Sequence, residues 1–341
     1  MTGRGPGKKQ KIVIVCLSVV ILSVAAFLSW FFLQYQRIYV PLDKAPLVDA
    51  TSSTPTLAST PTLLPIPTPA FAPGERLNLL FIGSDARPYE TAAGFDARAD
   101  TLLFVSIDPT LLKAFVISIP RDSLVDIPGY GQDKINAALA WGGITLLTET
   151  VSQLLHQSIQ YYVILHFESF ASVIDILGGV DLNVDTRMYY PWEGINLYPG
   201  LQHLDGEQSL AFVRFRYYPL GDIDRVQHQQ AFLRAFIDQH LNLQIVFKLP
   251  AIFFQMPALL QTNLPFQTAL QLTKALAGLR SDQIRMETIP GNFYNQTGTS
   301  YWAVDRFSLA QLLTSWEKPK IEPTGTPSTS ATATRMFDPN P

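Results

Sequence analysis

Apolar and polar positions divide the chain into four stretches. Ile12 to Leu33 carries no charged residue, and about twenty apolar residues are what a helix needs to cross a bilayer. Residues 41–73 are rich in Pro, Thr, Ser and Ala with almost no charge, a composition that cannot bury enough apolar surface to fold. Glu322 to Pro341 has the same character and is expected to be disordered. Between them, residues 76–318 alternate strand-like and helix-like segments. Leu77 to Gly83, Thr101 to Ile107 and Lys113 to Ile119 read as buried strands. Gly143 to His156 reads as a helix, with Ile144, Leu147, Val151, Leu154 and Leu155 on one side. Tyr161 to His166 is a further strand, Phe167 to Leu177 a helix stopped by Gly178-Gly179, Val180 to Val184 a strand, and Ile284 to Ile289 a late strand. Asp205 with Gln208 three residues on has the form of a helix capping box. Phe212 to Tyr218 reads as a strand at period two, with Phe212, Arg214, Arg216 and Tyr218 on one face. Pro219 and Gly221 break it, and Asp222 or Asp224 can cap the following helix, which buries Val226, Phe232, Leu233, Phe236 and Ile237. The order predicts an α/β fold, a mixed central sheet with helices on its faces, preceded by one transmembrane helix. The apolar stretch Leu241 to Leu264 reads as core-facing helices, with a lining for a lipid chain as the sharper alternative.

Charge adds orientation. Arg4, Lys8, Lys9 and Lys11 precede the apolar run, which places residues 1–11 in the cytoplasm, 12–33 in the membrane and the rest outside. Residues 34–75 then serve as a Pro/Thr-rich extracytoplasmic linker, 76–318 as the catalytic domain and 319–341 as a tail. Trp30, Tyr35 and Tyr39 are expected at the far membrane interface. The apolar run is longer than the core of a signal peptide, and no small-x-small cleavage site follows it before Gln34, so a retained anchor is expected. A formal net charge of −3 argues against a general nucleic-acid binder. The single cysteine, Cys16, excludes intramolecular disulfides and cysteine-rich metal sites.

Chemistry is concentrated in arginines beside aspartates at predicted strand ends: Asp85 with Arg87, Arg98 with Asp100, Arg121 with Asp122, and Asp222 and Asp224 with Arg225. Arginine presents a planar fork that matches phosphate oxygens, where lysine offers a point charge. Arg225 falls at a helix N-terminus, where backbone donors already favour an anion. Any one pair has a bland explanation as a surface salt bridge worth roughly 0–1 kcal/mol. Their recurrence at successive strand ends, where α/β folds build their sites, points to a phosphate site. Asp85 and Asp100 would repel a diphosphate held by arginines alone, and Mg²⁺ between them resolves the conflict, since it takes one or two carboxylates plus phosphate oxygens and water. Zinc is not expected, because the five histidines are scattered. Of these, His228 lies beside the arginine-bearing helix. Neither a phosphate-cradling Gly-x-x-x-x-Gly-Lys loop nor a serine nucleophile elbow is present.

The motifs LLFIGSDAR (Leu79 to Arg87), ARADT (Ala97 to Thr101), SIPRD (Ser118 to Asp122), DKINAA (Asp133 to Ala138), LGGVDLNV (Leu177 to Val184), HLDGEQSLAFVRFR (His203 to Arg216) and GDIDR (Gly221 to Arg225) resemble, in order, those of the LytR-CpsA-Psr (LCP) proteins of bacterial envelopes. That resemblance implies an anchored extracytoplasmic domain with a hydrophobic pocket for a polyprenyl chain. It also implies transfer of a glycopolymer from a polyprenyl diphosphate carrier to a peptidoglycan hydroxyl. Arg98, Arg121, Arg214, Arg216 and Arg225 are then expected to hold the diphosphate with Gln229 nearby, Asp85 and Asp100 to face Mg²⁺ (or Mn²⁺), and Asp222 to line the site. Ala99 stands where the family commonly has serine, and His228 where it often has arginine. Asp222 is expected to accept the hydroxyl proton, with Asp122 as the second candidate, and Arg121 and Arg225 to stabilise the transferring phosphoryl group.

Two other functions fit some of these residues. A polyprenyl-diphosphate pyrophosphatase would use the same arginines and metal with water as acceptor. A non-catalytic envelope regulator would want a DNA-binding module on the cytoplasmic side, for which eleven residues are too short.

Overall fold

The computed structural model describes residues 33, 35–42, 76–84, 99–216, 222–242, 244–245, 248, 251–252, 260–296 and 298–317. The apolar run 12–33 lies outside them apart from Leu33, and among the described residues no helix is long and apolar enough to cross a membrane. The tail 319–341 also lies outside them.

The chain order is β1 (Leu77–Ser84), β2 (Ala99–Asp108), β3 (Lys113–Ser118), β4 (Ser123–Ile127), β5 (Gly131–Lys134), α1 (Ala137–Leu155), β6 (Tyr161–His166), α2 (Phe167–Leu177), β7 (Val180–Val184), β8 (Met188–Tyr190), β9 (Ile195–Leu197), β10 (Gly200–Leu204), α3 (Gly206–Arg214), α4 (Asp222–His240), β11 (Leu260–Thr262), α5 (Phe266–Leu276), β12 (Ile284–Thr288), β13 (Gly291–Gln296), β14 (Thr299–Val304) and α6 (Arg306–Glu317). A six-stranded sheet in the order β11-β6-β1-β2-β3-β12 forms the centre. It is mixed: β1 runs parallel to β6 and β3 to β12, while β1–β2, β2–β3 and β6–β11 are antiparallel. Its strands are apolar on both faces because both are covered. Leu80, Ile82, Leu102 and Phe104 pack with α1 residues such as Leu147 and Val151, while Leu77, Leu79 and Ile107 pack with Leu272 and Leu276 of α5 and Ile237 of α4. Phe104, wholly buried, contributes about 1.5–3 kcal/mol by leaving water.

Three elements differ from the expectation: the end of the stretch Leu241 to Leu264, expected as core-facing helices, is the edge strand β11, and two others depart as well. Phe212 to Arg214 is not strand but the last turn of α3. The helix begins at the predicted capping box, in which the Asp205 side chain accepts from Gln208 N–H at 2.8 Å and the Gln208 side chain accepts from Asp205 N–H at 3.2 Å. Ser209, Phe212 and Phe215 are buried at helical spacing, and Phe215 leaves the helix in extended geometry. Gly206 is required at the start of α3, because a Cβ there would lie 2.2 Å from the Ala171 carbonyl oxygen of α2. The predicted helix 143–156 begins earlier, at Ala137, and bends at Gly142 and Gly143. Gly143, at φ 63° and ψ −160°, occupies a region open essentially to glycine alone.

Of the expected linker, residues 35–42 are described, and they are seated on the domain. Tyr39 bridges Thr262, and Val40 N–H donates to the Thr262 carbonyl at 2.8 Å. The Tyr162 hydroxyl donates to the Val40 carbonyl at 2.6 Å and the Thr145 hydroxyl to that of Leu42 at 3.0 Å. Tyr35 and Ile38 are buried, the Tyr35 hydroxyl donates to the Leu264 carbonyl, and its ring meets Phe266 edge-on at 5.3 Å. Burial pushes the Tyr35 phenol well above its usual range and that of Tyr162 up to about 12. The two tyrosines expected at a membrane interface are therefore part of the domain's own packing.

Candidate functional site

The register of the central sheet brings Arg121 opposite Asp100. Strands β2 and β3 pair with Leu103 facing Ser118, and Ile119 N–H extends the ladder to the Leu102 carbonyl at 2.9 Å. Continuing that register sets Arg121 against Asp100, and the guanidinium makes an ion pair with that carboxylate. Arg121 sits in the tight turn from β3 to β4, where Ser123 returns both its N–H and its hydroxyl to the Pro120 carbonyl at 2.9 and 2.7 Å. Its sequence neighbour Asp122 stands 4.0 Å from its Nε and pairs instead with Lys134 Nζ at 2.8 Å.

Helix α4 supplies the other wall. Arg225, in its first turn, is buried and donates from Nη2 to the Asp100 backbone carbonyl at 3.1 Å. One turn on, Gln229 Nε2 donates to the Thr101 hydroxyl at 3.0 Å and to the Val213 carbonyl at 3.3 Å. Arg214, at the C-terminal end of α3 where the helix dipole favours a cation, lies over the Phe167 ring at 5.1 Å. Glu193, in the turn between β8 and β9, takes Arg214 at 3.3 Å and Arg216 at 3.8 Å. Its carboxylate lies against both guanidiniums and offsets their mutual repulsion.

These side chains line one cavity of about 120 Å³: Arg121, Arg214, Arg216, Arg225, Asp100, Glu193, Thr101, Gln229, Phe167 and Val213. Four guanidiniums face two carboxylates. The local excess of positive charge suits an anion of about two negative charges. Thr101, Phe167, Val213 and Gln229 also belong to the wall of a second cavity, of about 270 Å³. That cavity is otherwise apolar, framed by Phe81, Leu103, Phe170, Val173, Phe232 and Phe236.

The predicted residues Arg121, Arg214, Arg216, Arg225, Gln229 and Asp100 are thus brought together. Arg98 and Asp85 lie outside the described residues, as does the side chain of Asp222, although that residue opens α4. His228 turns to Asp185, at 3.4 Å, and to the edge of Phe212, with ring centroids 5.2 Å apart. Glu193 was not foreseen, and a lone glutamate in a Pro-Trp-Glu-Gly turn carries no pattern that would single it out. Among the described residues no three His, Cys, Asp or Glu side chains cluster as metal ligands. The oxygen donors in the arginine cavity are Asp100, Glu193 and the Thr101 hydroxyl. Asp100 is a hard oxygen donor of the kind Mg²⁺ or Mn²⁺ takes beside phosphate oxygens and water, and Asp85, its expected partner, lies outside the described residues.

Comparison with known proteins follows the same lines. The model of the LytR_cpsA_psr family matches residues 52–318. The regulatory protein MsrR of Staphylococcus aureus (strain COL) is 33% identical over 233 residues, covering 66% of this chain and 68% of that protein. A polyisoprenyl-teichoic acid–peptidoglycan teichoic acid transferase, TagU of Bacillus subtilis (strain 168), is 29% identical over 237 residues, covering 69% of this chain and 75% of that protein. Among solved structures, the LytR-CPS2A-psr family protein YwtF (TagT) with bound octaprenyl pyrophosphate lipid superposes with a TM-score of 0.56 at 27% identity, covering 73% of this chain and 92% of that one.

Proposed function

This chain belongs to the LytR_cpsA_psr family, and from that premise we propose that it transfers a glycopolymer from a polyprenyl diphosphate carrier to peptidoglycan, outside a membrane in which residues 12–33 anchor it. One observation carries the reading: a cavity lined by Arg121, Arg214, Arg216 and Arg225 shares the wall residues Gln229 and Thr101 with an apolar cavity. A charged head on a greasy tail needs those two environments side by side. The names of the relatives point the same way, since TagU is called a teichoic acid transferase and TagT was solved with octaprenyl pyrophosphate.

In this mechanism the acceptor hydroxyl oxygen attacks the sugar-linked phosphorus, its bond to the bridging oxygen breaks, and polyprenyl phosphate leaves. Arg121, Arg214, Arg216 and Arg225 orient the two phosphates and neutralise the charge spread over their oxygens, each contact contributing about 1.5–3 kcal/mol. Gln229, held by Thr101 and Val213, fixes the boundary between head and tail. Asp222, at the start of α4, is the proposed acceptor of the hydroxyl proton. Asp100, with Asp85, would hold Mg²⁺ or Mn²⁺, which supplies further charge neutralisation on the phosphate oxygens.

The test incubates a labelled lipid-linked glycan and peptidoglycan oligomers with the full-length protein in detergent. Label on the peptidoglycan is the expected result. Water-cleaved glycan alone would make the protein a pyrophosphatase, and no turnover with no lipid binding would remove the assignment.

A further inference from the structure

A third cavity, of about 350 Å³, shares Arg121 with the arginine cavity. It is lined by Arg121, Asp122, Asp133, Lys134, Asn136, Ala137, Ala140 and Trp141. Arg121 belongs both to this wall and to that of the arginine cavity, whereas no lining residue is common to this cavity and the apolar one. The three therefore follow one another in the order apolar, arginine-lined, polar.

That order has a consequence for displacement at phosphorus. Attacking and leaving oxygens lie roughly in line on opposite sides of the transferring group. The leaving oxygen belongs to the polyprenyl phosphate, whose tail takes the apolar side. The attacking hydroxyl then arrives from the side of Arg121 that faces the polar cavity.

The chemistry of the polar wall suits a neutral, hydroxyl-rich molecule. Asp122 and Asp133 accept hydrogen bonds, Lys134 donates, and Asn136 does both. Two carboxylates stand against Arg121 and Lys134, so a polyanionic chain would gain little there. Trp141 gives the wall an aromatic face. Tyr130 stacks on it at 5.1 Å and 27°, with its hydroxyl donating to the Trp141 carbonyl at 3.2 Å. Tyr130 is 56% exposed, so the pair continues the aromatic surface outward. Aromatic faces pack against the C–H face of a pyranose ring as they do against other apolar surfaces. The Gly142–Gly143 bend follows immediately after Trp141, whose ring packs in part against the core of the central sheet.

We propose that this cavity binds the acceptor, a glycan strand of peptidoglycan, with one sugar against Trp141 and Tyr130 and its hydroxyls among Asp122, Lys134 and Asn136. The proposal rests on the transferase reading above, and its test uses a measurement that needs no donor.

Binding of undecorated peptidoglycan oligomers to the full-length protein in detergent is measured by calorimetry, with polyprenyl diphosphate binding measured in parallel. Tyr130→Ala and Trp141→Ala are expected to weaken oligomer binding about tenfold, the scale of one lost stacking contact, and to leave lipid binding within twofold. Trp141→Phe should restore most of the loss, which separates a lost stacking face from a misfolded helix. Oligomer binding unchanged in Tyr130→Ala and in a folded Trp141→Ala overturns the proposal. So does a loss confined to lipid-linked donors that carry the glycan, because the cavity would then hold the donor's sugars. A parent that binds oligomers but no polyprenyl diphosphate would defeat the transferase reading and leave the oligomer measurement standing.

Discussion

Gln229 and Thr101 meet at 3.0 Å across the line between the arginine cavity and the apolar one. The contact joins α4 to the start of β2 and holds the boundary at a fixed place. Gln229→Ala is expected to lower kcat/KM for the lipid-linked donor about tenfold while costing about 1 kcal/mol of stability. Steady-state kinetics together with urea unfolding check both halves.

Arg121 should not tolerate lysine. Its guanidinium meets Asp100 while also forming part of two cavities, a task for a planar fork and not for a point charge. Arg121→Lys and Arg121→Ala are both expected to reduce kcat/KM by about ten- to a hundredfold, the equivalent of one charge-assisted contact. Full activity in Arg121→Lys would show that net charge suffices.

The apolar cavity predicts a dependence on chain length. Val173 of α2 lines it among Phe170, Phe232 and Phe236, and Val173→Trp fills space that a long isoprenoid tail would use. KM should rise for an undecaprenyl donor and stay level for one with two isoprene units. An equal change for both would place the tail elsewhere.

Asp108 predicts the pH response of stability. Burial alone would raise its pKa, but the carboxylate accepts from the Thr110 hydroxyl at 2.7 Å and from Leu111 and Thr110 N–H at 2.9 and 3.0 Å, and together with Arg76 these bring it below the usual value. A lowered folded-state pKa contributes stability that is present above the unfolded value, about 3.9, and is lost as pH falls through the folded one. Asp108→Asn should therefore be less stable than the parent by about 1–3 kcal/mol at pH 7, and the gap should close below about pH 4 in parallel melts.

Much of the central layer was legible because its segments are apolar, regular and clearly punctuated. Tyr161–His166, Phe167–Leu177 and Val180–Val184 begin and end where the pattern places them. Asp205 and Gln208 form the capping box their spacing implies. Phe212 to Tyr218 misled because alternating aromatic and arginine residues imitate a strand, whereas Phe212 and Phe215 are buried at the i, i+3 spacing of a helix face. The hairpins β4–β5 and β13–β14 escaped notice because GQDK and GNFYNQ are polar and largely exposed. Convergence of the arginines was visible in sequence, but their partners were not. Arg121 pairs with Asp100, which strand register sets opposite it, while its sequence neighbour Asp122 lies 4.0 Å away and makes its closer pair with Lys134 at 2.8 Å.

Residues 35–42 and Arg76 are fastened to a single body: Val40 to Thr262, Leu42 to Thr145, and Arg76 over the ring of Trp316 at 5.2 Å. Both ends of the stretch 43–75 are therefore tied to the same body. Lengthening that stretch adds slack to a detour and not reach to a leash. The contacts of Tyr35, Tyr39, Val40 and Leu42, ahead of that stretch, fix where the chain enters the domain.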